Sequence, residues 1–249
     1  MWRFGFVLVM ALAGCAAPDA HAPPFARVPY EPFSRQAAVA IALGEWRLWG
    51  SRVDNDPFTY APADLDTIPE RAQGFWQRVG EYWWQGMNAG VPDARDTGKH
   101  NASGAVFPAD TNGRYAWSAA FISYVMRVAG AGRAFPYAPA HATYIDAAAR
   151  GETPLLTAED PALYAPRLGD MVCFARGSAA SLRFKDLPTE GFFPSHCGIV
   201  TGGGPGEIDM VGGNVDNAVV MTKVAGLPGG FLSTAIFQWL VVLRVNYAQ

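Results

Sequence analysis

Ser118, His196 and Asn214 are the residues whose types and order suit acyl-transfer chemistry. A hydroxyl becomes a nucleophile beside a base that takes its proton, and histidine is the usual base near neutral pH. A third polar residue can accept from the far imidazole nitrogen and fix its tautomer. Ser118 stands in Tyr115-Ala116-Trp117-Ser118-Ala119-Ala120-Phe121, where an extended lead-in turns into an apolar helical pattern. The start of a helix favours developing negative charge. His196 stands in Pro194-Ser195-His196-Cys197-Gly198-Ile199-Val200, at the mouth of a strand-like run, and Asn214 follows in Val211-Gly212-Gly213-Asn214-Val215. Each residue also has a plainer reading. Ser118 can cap the helix it precedes, His196 can be structural, and Gly-Gly-Asn is an ordinary turn. A helix-borne nucleophile, then a strand-borne base, then a polar residue near the next strand's end is more specific than any of the three alone.

Several elements must hold these groups. Phe121, Val125 and Val128 recur at helical spacing after Ser118, and Gly130 or Gly132 stops that helix. Ahead of it, Ser34 caps a helix over 35–49 with Val39, Leu43 and Trp46 on one face. Thr67-Ile68-Pro69-Glu70 reads as a capping box opening a helix that carries Ala72, Phe75, Val79, Tyr82 and Trp83 and ends near Gly86. A long irregular stretch, 88–113, separates it from the Ser118 helix; loops of that length are usually functional or mobile. Another helix is expected over 139–150, with His141 on it as a surface or supporting residue. Beyond Gly151 come short β-type runs at 171–175, 197–201, 207–211, 218–224 and 237–245. Helices first and strands afterwards indicate an α+β domain with a small antiparallel sheet.

With these motifs in place, the chain resembles the CHAP and NlpC-type cysteine amidases and peptidases, which share a papain-like fold. The resemblance is carried by Trp117-Ser118-Ala119-Ala120-Phe121, by Gly169-Asp170-Met171-Val172-Cys173-Phe174, by His196-Cys197-Gly198-Ile199-Val200 and by Gly213-Asn214, and it spans about 110–245. More closely, the chain is similar to bacterial lipoprotein domains related to CHAP that carry this Trp-Ser version. The resemblance implies a papain-like domain, hydrolysis of peptidoglycan amide bonds, no cofactor, and a catalytic set of Ser118, His196 and Asn214. Trp117 and Tyr115 would touch substrate, and Tyr115 is a candidate second oxyanion donor beside the Ser118 backbone N–H. The helices before Asn88 have no counterpart in those enzymes.

One departure matters. The family nucleophile is cysteine, and Ser118 stands in its place. A thiol is partly ionised near neutral pH and a hydroxyl is not, so a serine version needs a true general base and a formed oxyanion hole. The site is therefore read either as a serine hydrolase or as a groove that binds wall peptide or a partner protein without turnover. A third reading is an envelope scaffold whose aromatic N-terminal helices pack on another subunit. Cys197 adjoins His196 on a strand, so their side chains face opposite ways and cannot act on one bond. In the resemblance Cys173 and Cys197 lie on neighbouring strands. A disulfide between them is expected, with two buried thiols as the alternative.

Composition and targeting bound the rest. The 249 residues carry a formal charge of −3, so no basic field calls for nucleic acid. Arg3, the apolar run 4–13 and Leu12-Ala13-Gly14-Cys15 resemble a bacterial lipoprotein signal, with Cys15 lipidated. The expected layout is a signal peptide over 1–14, a Pro-rich tether over 15–33, a helical extension over 34–98 and the CHAP-like domain over 99–249. This places the chain on the periplasmic side of an envelope membrane, held by lipid, with Ala16 favouring the outer membrane. His21, His100, His141 and His196 lack zinc-ligand spacing, so no metal is expected. Asp54, Asn55 and Asp56 lack the EF-hand pattern. No Gly-x-Ser-x-Gly or Ser-x-x-Lys occurs, and Gly202-Gly203-Gly204-Pro205-Gly206 is a turn without the Lys-Ser/Thr of a phosphate loop.

Overall fold

A computed structural model describes residues 32–55, 69–87, 116–235 and 237–248. Four α-helices are formed by the described residues: α1 (Arg35–Leu48), α2 (Phe75–Gly86), α3 (Ser118–Val128) and α4 (His141–Ala149). Seven strands follow or interleave: β1 (Val53–Asp54), β2 (Leu156–Glu159), β3 (Met171–Ala175), β4 (Ser195–Gly204), β5 (Glu207–Val215), β6 (Ala218–Ala225) and β7 (Val241–Val245). They form one sheet in the order β1-β6-β5-β4-β3-β7-β2. Every neighbouring pair is antiparallel except β1 with β6. The fold is α+β, and the sheet is larger than the runs of β-type sequence suggest, because β1 and β2 are short edge strands of mixed composition.

The sheet's two faces alternate along each strand. Met171, Cys173, Cys197, Ile199, Val211, Val241 and Leu243 join the helices in the main core. Val172, Phe174, Val200, Met210 and Val242 build a smaller core on the other face with Leu232 and Trp239. Cys173 and Cys197 stand directly opposite each other on β3 and β4, Cα atoms 4.2 Å apart, and their sulfurs are joined in a disulfide.

α1 begins where Ser34 accepts from the Ala37 backbone N–H at 3.1 Å. It stops at Gly50, whose φ of +88° suits glycine. Its buried stripe is Ala38, Ala42 and Glu45, while Val39, Leu43 and Trp46 are only half-buried. Glu45 explains the rotation. It accepts from Arg78 Nε at 2.9 Å and from the Tyr82 hydroxyl at 2.6 Å on α2, and from the Tyr124 hydroxyl at 3.3 Å on α3. Trp49 Nε1 completes the cluster by donating to the Tyr82 hydroxyl at 2.9 Å. A buried carboxylate is tolerated only with such partners, so they set which way the helix faces.

α2 starts at Phe75, later than the capping box suggests. Pro69–Arg71 form a separate single turn, and Gly74, with φ +93°, leads into the helix. Thr67 and Ile68 lie outside the described residues. α2 and α3 approach closely at Gly86, where a Cβ would come 2.9 Å from the Ala120 carbonyl oxygen. Gly169-Asp170 ties the sheet to its flanks. The buried Asp170 carboxylate accepts from the Tyr164 hydroxyl and the Arg167 backbone N–H, both at 2.9 Å, and from the Val245 backbone N–H at 3.1 Å. No helix of the described residues is long and apolar enough to cross a membrane.

Candidate active site

Ser118 is the first residue of α3, and its hydroxyl does not cap the helix. The residue before the helix is Trp117, which makes no side-chain cap bond. Ser118 Oγ instead lies 2.9 Å from His196 Nδ1 and in hydrogen-bond contact with His141 Nε2. The two imidazole centroids are 5.5 Å apart, so the hydroxyl is bracketed by two histidines. On its other side His141 Nδ1 contacts the Tyr144 hydroxyl. Ser118, His141 and His196 are all buried, at 5–6% exposure.

His141 is therefore not a surface residue; of the two expectations, the supporting place beside Ser118 is the one it occupies. It opens α4, and Tyr144 sits one turn on, the spacing at which helical side chains meet. The sequence carried one signal for this: at helical spacing His141 and Tyr144 fall with Ile145 and Ala148, away from the polar face of Thr143, Asp146 and Arg150. Which element they point at is a tertiary fact.

Burial is the main electrostatic term. It pushes the His141 imidazole well below the ordinary histidine value, and the neighbouring His196 adds to this. Burial, with the Arg176 guanidinium second, lowers His196 to about 3. Both rings are neutral at physiological pH, each with one donor and one acceptor nitrogen.

His196 occupies the second position of β4, opposite Phe174 on β3. Its ring centroid is 5.4 Å from that of Phe174. Cys197, one residue on, points to the helix side and is held in the disulfide, so neither sulfur serves this site. Two glycines of β5 let the parts meet. A Cβ on Gly213 would lie 2.5 Å from Phe121 Cβ and 2.9 Å from Trp117 Cζ3, and one on Gly212 would lie 2.8 Å from His196 Nε2. Gly213 thus admits the start of α3, and Gly212 admits the imidazole.

His196 also lines a cleft of about 360 Å³, open mouth included, with Phe174, Arg176, Met210, Asn214 and Asp216. Asn214 reaches this wall with φ +57°, at a register shift between Gly212 and Val215. Among the described residues no hydrogen bond joins Asn214 to His196. The expected orienter shares the cleft with His196 but makes no hydrogen bond to it, and the strand pairing is irregular at this point. Arg176 was not expected from its surroundings in the sequence; it follows β3 and brings a partly buried cation beside His196.

Trp117, expected at the substrate, turns inward instead. It is 1% exposed, its ring stacks on Trp49 with centroids 5.4 Å apart, and its Nε1 donates to Glu70. The large apolar ring is better buried among aromatics than left on a polar cleft. Burial raises the Glu70 carboxyl to about 7, against the lowering effect of the Trp117 bond. Tyr115, the 88–113 stretch and Cys15 lie outside the described residues. No group of three or more His, Cys, Asp or Glu that suits a metal occurs among the described residues.

One family matches the chain, described as "Uncharacterized protein conserved in bacteria (DUF2272)", over residues 70–245. The match takes in α2, both site helices and every strand of the sheet but β1. Comparison with curated proteins and with solved structures returned no match.

Proposed function

The chain belongs to that bacterial DUF2272 family, and we propose that it is a serine amidohydrolase of the cell envelope, acting on amide bonds of wall peptide. The observation that carries this reading is the 2.9 Å contact between Ser118 Oγ and the neutral His196 Nδ1. As Oγ attacks the carbonyl carbon, its proton passes to His196 Nδ1 and the carbonyl π pair moves onto oxygen. Collapse expels the amine, which takes that proton, and leaves an acyl-serine. Water then attacks with His196 again as base, releasing the acid and restoring Ser118. The Ser118 backbone N–H, in the first turn of α3 where amides have no intrahelical acceptor, is a candidate donor to the oxyanion. The resemblance of the Trp117-Ser118, Gly169-Asp170, His196 and Gly213-Asn214 motifs to CHAP and NlpC-type enzymes supports the substrate class, as does the lipoprotein-like start of the sequence. In this reading lipid on Cys15 holds the protein at the outer membrane, facing the periplasm.

A second reading, binding of wall peptide or a partner protein without turnover, draws on a specific feature. Asn214 does not orient His196, and burial leaves that ring a weak base.

One experiment separates them. The full chain in detergent is incubated with purified peptidoglycan fragments, beside Ser118→Ala and Ser118→Cys variants, and products are read by mass spectrometry. Products heavier by one water from the natural protein and not from Ser118→Ala are expected. Turnover by Ser118→Cys alone would establish a binding groove with a disabled nucleophile. Cleavage by none of the three would remove the wall-hydrolase reading.

A further inference from the structure

We propose that Tyr144 and His141 form a one-way hydrogen-bond relay that aims the Ser118 hydrogen at His196, so that His141 is a positioning residue and not a second base. The inference rests on the reading of Ser118 as nucleophile, and it follows from counting donors and acceptors. Tyr144 is fully buried, and among the described residues its hydroxyl has one hydrogen-bond partner, His141 Nδ1. Burial holds the phenol well above its ordinary titration range, so it keeps its hydrogen. A buried O–H is donated to whatever acceptor it has. Tyr144 therefore donates to His141 Nδ1, which must be the bare nitrogen of a neutral ring.

The remaining steps are forced in turn. His141 carries its hydrogen on Nε2 and donates it to Ser118 Oγ. Ser118 then has its own hydrogen to place, and the other neighbour is His196 Nδ1 at 2.9 Å. That nitrogen accepts, so His196 carries its hydrogen on Nε2, the atom beside Gly212. Reversing the chain would have Tyr144 accept from His141 Nδ1 and leave the phenol hydrogen without an acceptor.

The consequence for chemistry is directional. The Ser118 proton has one destination, His196 Nδ1, and the same nitrogen returns it to the leaving amine. His141 gives up no proton and takes none; its N–H holds Oγ in line and favours the oxygen as negative charge develops on it. The helix pair thus does from the serine side what an orienting third residue does from the far side of the base in other triads.

The test reads tautomers directly in the full chain labelled with ¹⁵N-histidine, by two-bond ¹H–¹⁵N correlation. Both His141 and His196 are expected as Nε2–H tautomers. A His141 ring carrying its hydrogen on Nδ1 would overturn the relay, whatever the protein hydrolyses. Tyr144→Phe removes only the phenol oxygen and should shift the His141 nitrogens toward a mixture of tautomers; an unchanged Nε2–H pattern would count against Tyr144 as the fixing group. Acylation of Ser118 by a fluorophosphonate probe, followed by intact mass, should slow about tenfold in Tyr144→Phe. It should be better kept in His141→Gln, whose amide N–H can donate to Oγ, than in His141→Ala. Equal loss in the Gln and Ala variants would contradict a donor role. If the tautomers are as expected while Ser118 ignores the probe in every variant, the relay stands and the hydrolase reading fails.

Discussion

Ser118 illustrates how a hydroxyl at a helix start is drawn away from capping and toward two side chains. At the start of α3 it could bond backbone N–H groups, yet both hydrogen-bonding directions face histidine. The cost is borne by the imidazoles, which lose their charged form to burial. A pH prediction follows. An ordinary histidine near 6.5 would be only about 3% neutral at pH 5, and a site depending on it would lose roughly twentyfold between pH 7 and pH 5. With His196 lowered to about 3 by burial and Arg176, probe acylation of Ser118 should change less than about twofold over that range. A midpoint near 6.5 would show that the base is an imidazole not lowered by burial, against the direction given for His196. Around it stand His141, Arg176 and, across the cleft, Asp216.

Glu70 titrates in the opposite sense. Its folded value is raised from 4.5 to about 7, so the folded protein keeps a proton that the unfolded chain has released. The associated stability is complete below pH 4.5 and lost as pH rises through 7. The two histidines, lowered from 6.5, contribute stability that is complete above 6.5 and lost as pH falls below it. Glu70→Gln keeps an acceptor for Trp117 without the titration. Relative to the natural protein it should gain up to about 3 kcal/mol between pH 5 and pH 8. Urea midpoints at the two pH values measure this, and a constant difference would refute the raised carboxyl.

At the scale of elements, the Glu45 cluster fixes α1 and α2 on α3. Arg78 bonds Glu45 through two nitrogens and also reaches the Tyr124 hydroxyl at 2.6 Å. Removing one partner of a buried ion pair leaves the other uncompensated, at about 3–5 kcal/mol. Arg78→Ala should be destabilised by that amount in urea unfolding. Glu45→Gln combined with Arg78→Met should lose distinctly less, and equal losses would show that packing, not charge, holds the helices. Eight of the elements are near their sequence-based positions. α1, α3, α4 and β3 to β7 follow from periodicity and punctuation, with boundaries shifted by a few residues. β1 and β2 escaped because two- and four-residue edge strands carry too few residues to show alternation. The facing of α1 escaped because apolar periodicity placed Val39, Leu43 and Trp46 on one face, while Arg78 and Tyr82 make Glu45 a core residue.

Across the whole molecule, the described helices and sheet share one main core. α2 lies within the family match together with strands β2 to β7. The Cys173–Cys197 disulfide joins β3 to β4 across a separation of 24 residues, directly behind His196. A loop of that size constrains the unfolded chain by about 3 kcal/mol. Reduction of the unfolded chain, or Cys173→Ala with Cys197→Ala, should therefore lower stability by up to that amount. Ser118 should keep its probe reactivity below the new unfolding midpoint, because the sulfurs lie on the face away from the imidazole. Loss of reactivity in fully folded double variant would tie the disulfide to the site.

The sequence by itself determined the order of helix, histidine-bearing strand and glycine-rich strand, because periodicity, capping and glycine punctuation act over a few neighbouring residues. It also singled out Ser118 and His196, whose motifs are contiguous. It left the third member of the site to tertiary structure. Asn214 lies in the expected motif and reaches the cleft without holding the base, whereas His141 comes from a separate helix whose local sequence names no target. Hydrogen bonds depend on ångström-scale approach and on which donors have been stripped of water. Those quantities exist only once α3, α4 and β4 are packed together.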